Sequence, residues 1–515
     1  MATSSETPFR AWHLPPLPPE AQGKGPDPGD RVPVRLQGRG EAPLEYLPLT
    51  SGDLERVMTG LREAHGEGLR TRPVREVVEG VDRVARRLMD PGDELRQEAL
   101  RHLGPQAGFS RPMARAVLDG MARDWTRDRL RALLEAEFSD PGVLDGFRDR
   151  PGGGQTRASG YPLTLHIGAG TVPGVATTSL IRALLVKSAV LLKPGRGDVV
   201  LPVVFARGLA EEDPSLSRTV AVVYWPGHAP GRAGGDDPAL TALRGADLVV
   251  AYGSDETLRE IRDALPLATP FRAYRHRMGV GMVGKEALGA GKGRTGLEGP
   301  GKVAREEARE GAREVAVAVA REVALAAALF DQRGCVSPQV ILVEEGGERE
   351  PETFAELLAR ELEILEEELP SGSMTDEEAS ALHQLRGEGE MDEAVGRGRV
   401  LHGGKTAPWT VLYQPGAEVQ PTCLNRSVRV IPVGSWQEAV DRLKPWGPHL
   451  QTVGLAGWEG QEGRVMDTLA ALGVSRVTSF SRVPWPPAWW HHDGTGPLRT
   501  LIRWTDREEV GPAPR

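Results

Sequence analysis

Residues 163–198 read LTLHIGAGTVPGVATTSLIRALLVKSAVLLKPGRGD. Residues 163–167 form a short apolar strand, and a glycine-rich turn from Gly168 to Gly174 follows it. Residues 175–186 read as a helix and 189–192 as a second strand, which ends in Lys193-Pro194 before another helix. Strands that are apolar throughout and joined by helices argue for a parallel sheet covered on both faces. The alternation continues through a helix at 198–209, a strand at 219–224 and a short helix at 238–243. It ends with a strand at 247–251, a helix at 255–264 and a strand at 279–283. Sheets of this kind bind nucleotides at the carboxyl ends of their strands.

Three turns of one type recur in this region. His166 to Gly174, Leu191 to Asp198 and Ala251 to Thr257 each lead from a strand through glycine into a helix. Such a turn presents backbone N–H groups at a helix N-terminus, where a phosphate or a carbonyl oxygen can sit. Gly279 to Gly284 spells G-x-G-x-x-G, but that fingerprint needs a strand before it and a helix opening inside it. Here the segment is itself strand-like. The chain carries no G-x-S-x-G elbow and no Walker A sequence, which argues against serine hydrolase and ATPase chemistry.

Upstream, residues 50–138 are helical in pattern. Val74, Val77, Val78, Val81, Val84 and Leu88 make one apolar stripe at three- and four-residue spacing. Asp90-Pro91-Gly92 stops that helix, and Ser110 before Arg111-Pro112 starts another. Residues 1–43 are rich in Pro, Gly and charge and read as a tail. Arg150 to Gly154 marks the break where the α/β alternation begins.

Downstream, residues 286–301 read as a Gly-rich loop, and a long Ala/Val/Arg/Glu helix at 303–330 follows. It runs into FDQRGCVSPQ at 330–339, and a strand at 340–343 leaves it. Further elements are a helix at 354–369 and strands at 410–413 and 428–433. The C-terminus is Trp-rich, with Trp485, Trp489, Trp490 and Trp504. Cys335 stands on the tight turn after Gly334. An accessible thiol with N–H donors close by suits attack on a carbonyl, because the thiolate adds and the donors receive the oxyanion. Read alone, the same residue is more often a buried structural cysteine.

Composition narrows the function classes. The net charge is −9 with no basic block, so nucleic acid is not an expected partner. Cys335 and Cys423 are the two cysteines; they make no disulfide framework or zinc pattern and suit a reducing compartment. The N-terminus lacks a basic segment followed by an apolar one, and no apolar run is long enough for a membrane span. The expected location is the cytoplasm. His491, His492 and Asp493 suggest no third ligand, so no metal is expected.

Together FDQRGCVSPQ (330–339), LLVKSAVLLKPGRGD (184–198), VAYGSDETLREIR (250–262) and the C-terminal GVSRVTSF…WWHHDGTGPLRTLIRW give the chain its resemblance. It resembles the acyl-CoA reductase family typified by the fatty-acid reductase of bacterial luminescence, a branch of the aldehyde dehydrogenase superfamily. The resemblance covers roughly residues 44–506. It implies an α/β, aldehyde dehydrogenase-like fold: a Rossmann-type cofactor domain plus an α/β catalytic domain. The expected divisions are a tail at 1–43, a helical region and cofactor domain at 44–283, and a catalytic domain at 284–485. Residues 486–515 are expected to pack back or to lie at an oligomer interface, and a homo-oligomer is the family expectation.

Residue by residue, the resemblance makes Cys335 the nucleophile that accepts the acyl group as a thioester. It places Lys193 on the cofactor's adenosine ribose and Gly253 and Ser254 at its pyrophosphate. Thr171 falls where aldehyde dehydrogenases carry an oxyanion-hole Asn. Oxidising members also use a Glu as base for a deacylating water, and the corresponding strand, RHRMGVGMVG, offers no carboxylate. A reductase fed by a thioester needs no such water. Arg196 stands where NAD-preferring relatives often hold an acid. A guanidinium pairs with a 2′-phosphate, so NADPH is the expected cofactor and NADH the alternative. Cys423 falls near a position where dehydrogenases use a Glu on the nicotinamide ribose, but it reads as a small buried apolar residue. The expected activity is reduction of a long-chain acyl-CoA or acyl-carrier thioester to an aldehyde. A non-catalytic scaffold of the same fold, or an acyl carrier that loads Cys335 without reduction, is the alternative.

Overall fold

The computed structural model describes residues 8–17, 27–40, 42–227, 235–289, 302–404 and 407–508, with backbone alone for 302–313. Most of the 286–301 segment and parts of the 1–43 segment lie outside these. The chain divides into two compact units. One holds the described residues of 1–275, 487–490 and 495–515; the second holds 276–486 and 491–494.

The first unit is built on a five-stranded parallel sheet. Its strands are β1 (Leu163–Ile167), β2 (Ala189–Lys193), β3 (Val220–Val222), β4 (Leu248–Gly253) and β5 (Phe271–Arg275). The order is β5-β4-β1-β2-β3, and every neighbouring pair is parallel. The longer helices of the repeat are α1 (Val175–Leu185), α2 (Val200–Glu212), α3 (Pro238–Gly245) and α4 (Asp255–Ala264). The expected helix at 198–209 is two pieces, a short 3-10 turn at Arg196–Asp198 and then α2. The apolar runs of β1, β2 and β4 are buried. One face of the sheet packs on Leu54, Val57, Met58 and Leu61 of the helix Ser51–Glu67. The Val77, Val78, Val81, Val84 and Leu88 stripe of the helix Val74–Met89 is likewise buried.

Two smaller sheets complete this unit. Phe9–Arg10 pairs with Pro43–Tyr46, which also pairs with Val34–Gln37. Phe9 and Ala11 are buried, so the start of this Pro-rich stretch is packed, whereas Val32 and Val34 are exposed. Ile502–Arg507 pairs antiparallel with Gln155–Gly160.

The second unit holds a seven-stranded sheet. Its strands are β6 (Met278–Val283), β7 (Pro338–Glu344), β8 (Arg399–His402), β9 (Thr410–Tyr413), β10 (Ser427–Val433), β11 (Leu450–Ala456) and β12 (Arg476–Ser479). The order is β8-β9-β10-β7-β6-β11-β12, parallel except for the β8–β9 pair. Helices α5 (Lys302–Ala328), α6 (Pro351–Glu368), α7 (Asp376–Ala394), α8 (Trp436–Leu443) and α9 (Glu462–Ala471) accompany it.

Residues 279–283 of the Gly279–Gly284 motif lie on the interior strand β6, and its glycines serve packing. A Cβ on Gly279 would meet the Val336 carbonyl, and one on Gly281 would stand 2.6 Å from Ile341 and Phe480. Among the described residues, no helix is long and apolar enough to cross a membrane.

Candidate active site

The Cys335 turn begins with a backbone conformation that L-residues avoid. After α5, Phe330, Asp331 and Gln332 have φ of 58°, 49° and 63°. The left-handed region costs roughly 1–2 kcal/mol per non-Gly residue, so neighbouring groups must over-determine it. They do so from a second left-handed triplet, Leu424, Asn425 and Arg426. Gln332 Nε2 donates to the Pro338 and Ser427 carbonyls at 2.8 Å each, and its Oε1 accepts from the Ser427 N–H at 2.8 Å. Arg426, fully buried, pairs with Asp331 at 3.0 Å and Glu366 at 2.7 Å. Phe330 packs edge-on against Trp485 at 5.1 Å between centroids.

This scaffold presents Cys335, half-buried and free of disulfide. Gln451 Nε2 lies 3.9 Å from Sγ and His492 Nε2 lies 3.8 Å from it. Burial, then the Asp493 carboxylate, push the thiol up to about 12; Gln451, the residue's own N–H and Arg277 oppose them. That environment favours the thiol over the thiolate. Arg333 does not supply the missing cation. Its buried guanidinium faces Asp331 at 4.0 Å and the Ser373 carbonyl at 3.4 Å. The cation of the site is Arg277, which pairs with Asp493 at 3.2 Å. Asp493 itself has φ of 54°, so the His492 turn is also left-handed at a non-glycine. Gln451, His492, Asp493 and Arg277 were not expected here. Residues 116 and 157 positions from Cys335 have no spacing rule that joins them to it. The signal available in the sequence was a His-His-Asp cluster read only against metal binding.

The β6 strand carries no carboxylate. Cys423 is half-buried, with Sγ 3.6 Å from Ser427 Oγ, and burial raises its pKa. The tryptophans divide between the units: Trp485 belongs to the second, and Trp489, Trp490 and Trp504 to the first. Among the described residues, no group of three or more His, Cys, Asp or Glu is placed to hold a metal ion.

The expected cofactor residues and Thr171 fall in the first unit, at the carboxyl ends of β1, β2 and β4, three adjacent strands. Thr171 is half-buried on the turn after β1. That turn lies against the one after β2: a Cβ on Gly170 would stand 2.7 Å from the Gly195 carbonyl carbon. Asp198 is buried and accepts from Gly174 N–H at 2.7 Å and Ala176 N–H at 2.9 Å. Burial nonetheless pushes it up to about 7. The N-terminus of α1 is thus already served by a carboxylate of the chain. The N-terminus of α4 is the exposed one, with Ser254 Oγ accepting from Thr257 N–H at 3.3 Å.

Lys193 ends β2 with Nζ 5.5 Å from the Tyr224 ring centroid. Burial, then the Arg196 charge, lower its pKa to about 8, so an anion beside it would relieve both. Arg196 is exposed. Two cations and an open helix N-terminus at one sheet edge are a donor set that fits a nicotinamide dinucleotide.

A family model described as acyl-CoA reductase (LuxC) matches residues 69–504. The chain is 24% identical over 418 residues to a long-chain acyl-protein thioester reductase of Aliivibrio fischeri, covering 80% of this chain and 78% of that one. It is also 24% identical to the protein of the same description from Vibrio harveyi, with the same coverage. Among solved structures, the NAD-dependent benzaldehyde dehydrogenase of Corynebacterium glutamicum matches with a TM-score of 0.69 and 14% identity. That match covers 97% of this chain and 98% of the other. An NADP-dependent glyceraldehyde-3-phosphate dehydrogenase of Bacillus halodurans C-125 matches at 0.64 and 14%, covering 92% and 95%. The fold is that of the aldehyde dehydrogenases.

Proposed function

Because the chain belongs to the acyl-CoA reductase (LuxC) family, we propose that it reduces an acyl thioester to an aldehyde through an acyl-Cys335 intermediate. The observation that carries the proposal is Cys335 itself, held at the end of an over-determined left-handed turn with an amide and an imidazole at its sulfur. Such a turn fixes the nucleophile's direction before substrate arrives, which is where orientation contributes to rate. The relatives' descriptions as long-chain acyl-protein thioester reductases favour a long acyl chain and a protein-bound donor. Acyl-CoA presents the same electrophilic carbonyl.

Cys335 as thiolate adds to the thioester carbonyl, and the carrier thiol leaves. Gln451 and the Cys335 N–H are donors at the sulfur that suit the oxyanion. A reduced nicotinamide dinucleotide, when bound, supplies hydride to the acyl carbon. Lys193, Arg196, Gly253 and Ser254 are the residues that would hold it, and the Arg196 guanidinium favours the 2′-phosphate of NADPH over NADH. The absence of a carboxylate on β6 supports reduction over hydrolysis of the acyl-enzyme.

Incubating the protein with a long-chain acyl-CoA, with and without NADPH, tests this reading. Aldehyde formation with oxidation of the cofactor, both lost in Cys335→Ala, is the expected result. Acyl label on Cys335 without cofactor turnover would instead make the protein an acyl carrier. No label and no turnover would leave a scaffold.

A further inference from the structure

A nucleophile that must be a thiolate to act sits where burial keeps it a thiol. The cation nearest in sequence, Arg333, points elsewhere, and β6 offers no base. What reaches the sulfur is a residue 157 positions away. His492 Nε2 stands 3.8 Å from Cys335 Sγ, inside the range of a sulfur hydrogen bond. His492 is half-buried, so its ring is not dissipated into solvent, yet water can still exchange protons with it. Charged groups near it include Asp493, with Oδ1 3.7 Å from the same Nε2, and Arg277, which pairs with Asp493 at 3.2 Å. His491, its chain neighbour, is exposed. At 3.7 Å the carboxylate is too far for a hydrogen bond but close enough to favour an imidazolium. The left-handed φ of 54° at Asp493 turns the chain so that adjacent side chains converge on one site, a strain that ordinary loop closure does not need.

We propose that His492 is the general base that takes the Cys335 thiol proton, with Asp493, held by Arg277, as the positioning residue that stabilises the resulting imidazolium. The proposal rests on the reading of Cys335 as the acyl acceptor. In balance, the S–H bond breaks and its proton moves to Nε2. The sulfur lone pair forms the C–S bond as the carbonyl π pair moves onto oxygen. Collapse of that adduct breaks the carrier C–S bond, and the leaving thiolate takes the proton back from His492. After hydride arrives from the reduced nicotinamide, cleavage of the second C–S bond releases aldehyde and Cys335 thiolate, which regains a proton from solvent through the imidazole.

Alkylation of Cys335 by iodoacetamide tests this without acyl donor or cofactor, read on the Cys335 peptide by mass spectrometry so that Cys423 does not interfere. In the parent, the rate is expected to rise through the ordinary histidine range and then level. In His492→Gln it is expected to fall at least ~10-fold near pH 7 and to climb instead with hydroxide. Added imidazole is expected to restore part of the rate in His492→Ala. An unchanged rate and profile in folded His492→Gln would overturn the proposal. If neither variant folds, the parent decides: a rate that climbs steadily past the histidine range with no plateau overturns it. A parent that makes no aldehyde yet shows the plateau removes the reductase reading and leaves the Cys335–His492 pair standing.

Discussion

Arg426 holds Asp331 at 3.0 Å inside the second unit, with the arginine fully out of solvent and its other nitrogen on Glu366 at 2.7 Å. Each partner belongs to a left-handed triplet, so the pair ties two strained turns to each other. Removing one side of a buried pair typically costs ~3–5 kcal/mol. Arg426→Met is therefore expected to lower the unfolding free energy by that order, seen as a lower urea midpoint, and to blunt Cys335 alkylation. An unchanged midpoint in urea would show that the turn needs no such clamp.

The oxyanion donor can be located by comparing two variants. Gln451→Leu is expected to lower kcat by roughly 10²-fold with KM little changed, the signature of a contact made only in the transition state. Thr171→Val is expected to have the smaller effect. Steady-state rates with one acyl-CoA decide it, and a larger fall on Thr171→Val returns the role to the hydroxyl that the family resemblance indicates.

Cofactor choice should follow one charge. Arg196→Glu is expected to cut kcat/KM for NADPH at least about tenfold relative to NADH, because a carboxylate repels the 2′-phosphate that a guanidinium pairs with. The same ratio in parent and variant would make Arg196 a solvent-facing loop cation only.

Acid should weaken the first unit through His166. The ring is buried on β1, with Nδ1 2.6 Å from Ser179 Oγ and Nε2 3.1 Å from Thr164 Oγ1, and burial pushes its pKa down to about 3. Between that value and the ordinary 6.5 the unfolded chain binds the extra proton. Stability contributed by a neutral His166 is therefore present above 6.5 and is lost as pH falls, at up to ~1.4 kcal/mol per pH unit. His13, pushed down to about 4, acts in the same sense. Asp198, pushed up to about 7, acts oppositely: its contribution falls as pH rises from its ordinary value towards 7. His166→Gln removes only its own share, so its plot of denaturation midpoint against pH should be flatter between about pH 4 and 6. An identical slope would sink the assignment.

Local pattern made much of this fold legible. The strands at 163–167, 189–192, 247–251 and 279–283 fall on β1, β2, β4 and β6, because buried parallel strands are apolar throughout and need no partner to be recognised. Strands β5, β8, β11 and β12 are not among the expected ones. Their short runs, such as LQTVGLA, gain strand character only from the neighbours they pair with. The site divides the same way. Cys335 stood out through its turn, whereas Gln451, His492 and Arg277 meet it through tertiary packing that no window of sequence contains. The left-handed triplets were invisible for a related reason: none of their six residues is glycine.

The glycines of β6 limit what substitutions this chain can explore. Position 279 is walled by the Val336 and Ser337 carbonyls, and position 281 by Ile341 and the Phe480 ring. Phe480 presses equally on Gly454 of the neighbouring strand. A glutamate at either β6 glycine therefore collides with backbone or with an aromatic ring shared by two strands. Acquiring a water-activating carboxylate at either of these glycines is not one substitution away. It requires Phe480 or the Val336 turn to change first, and each of those changes alone opens a cavity or displaces Cys335. At these two positions, close packing bars the gain of the base that hydrolysis of an acyl-enzyme would need, whatever selection might favour.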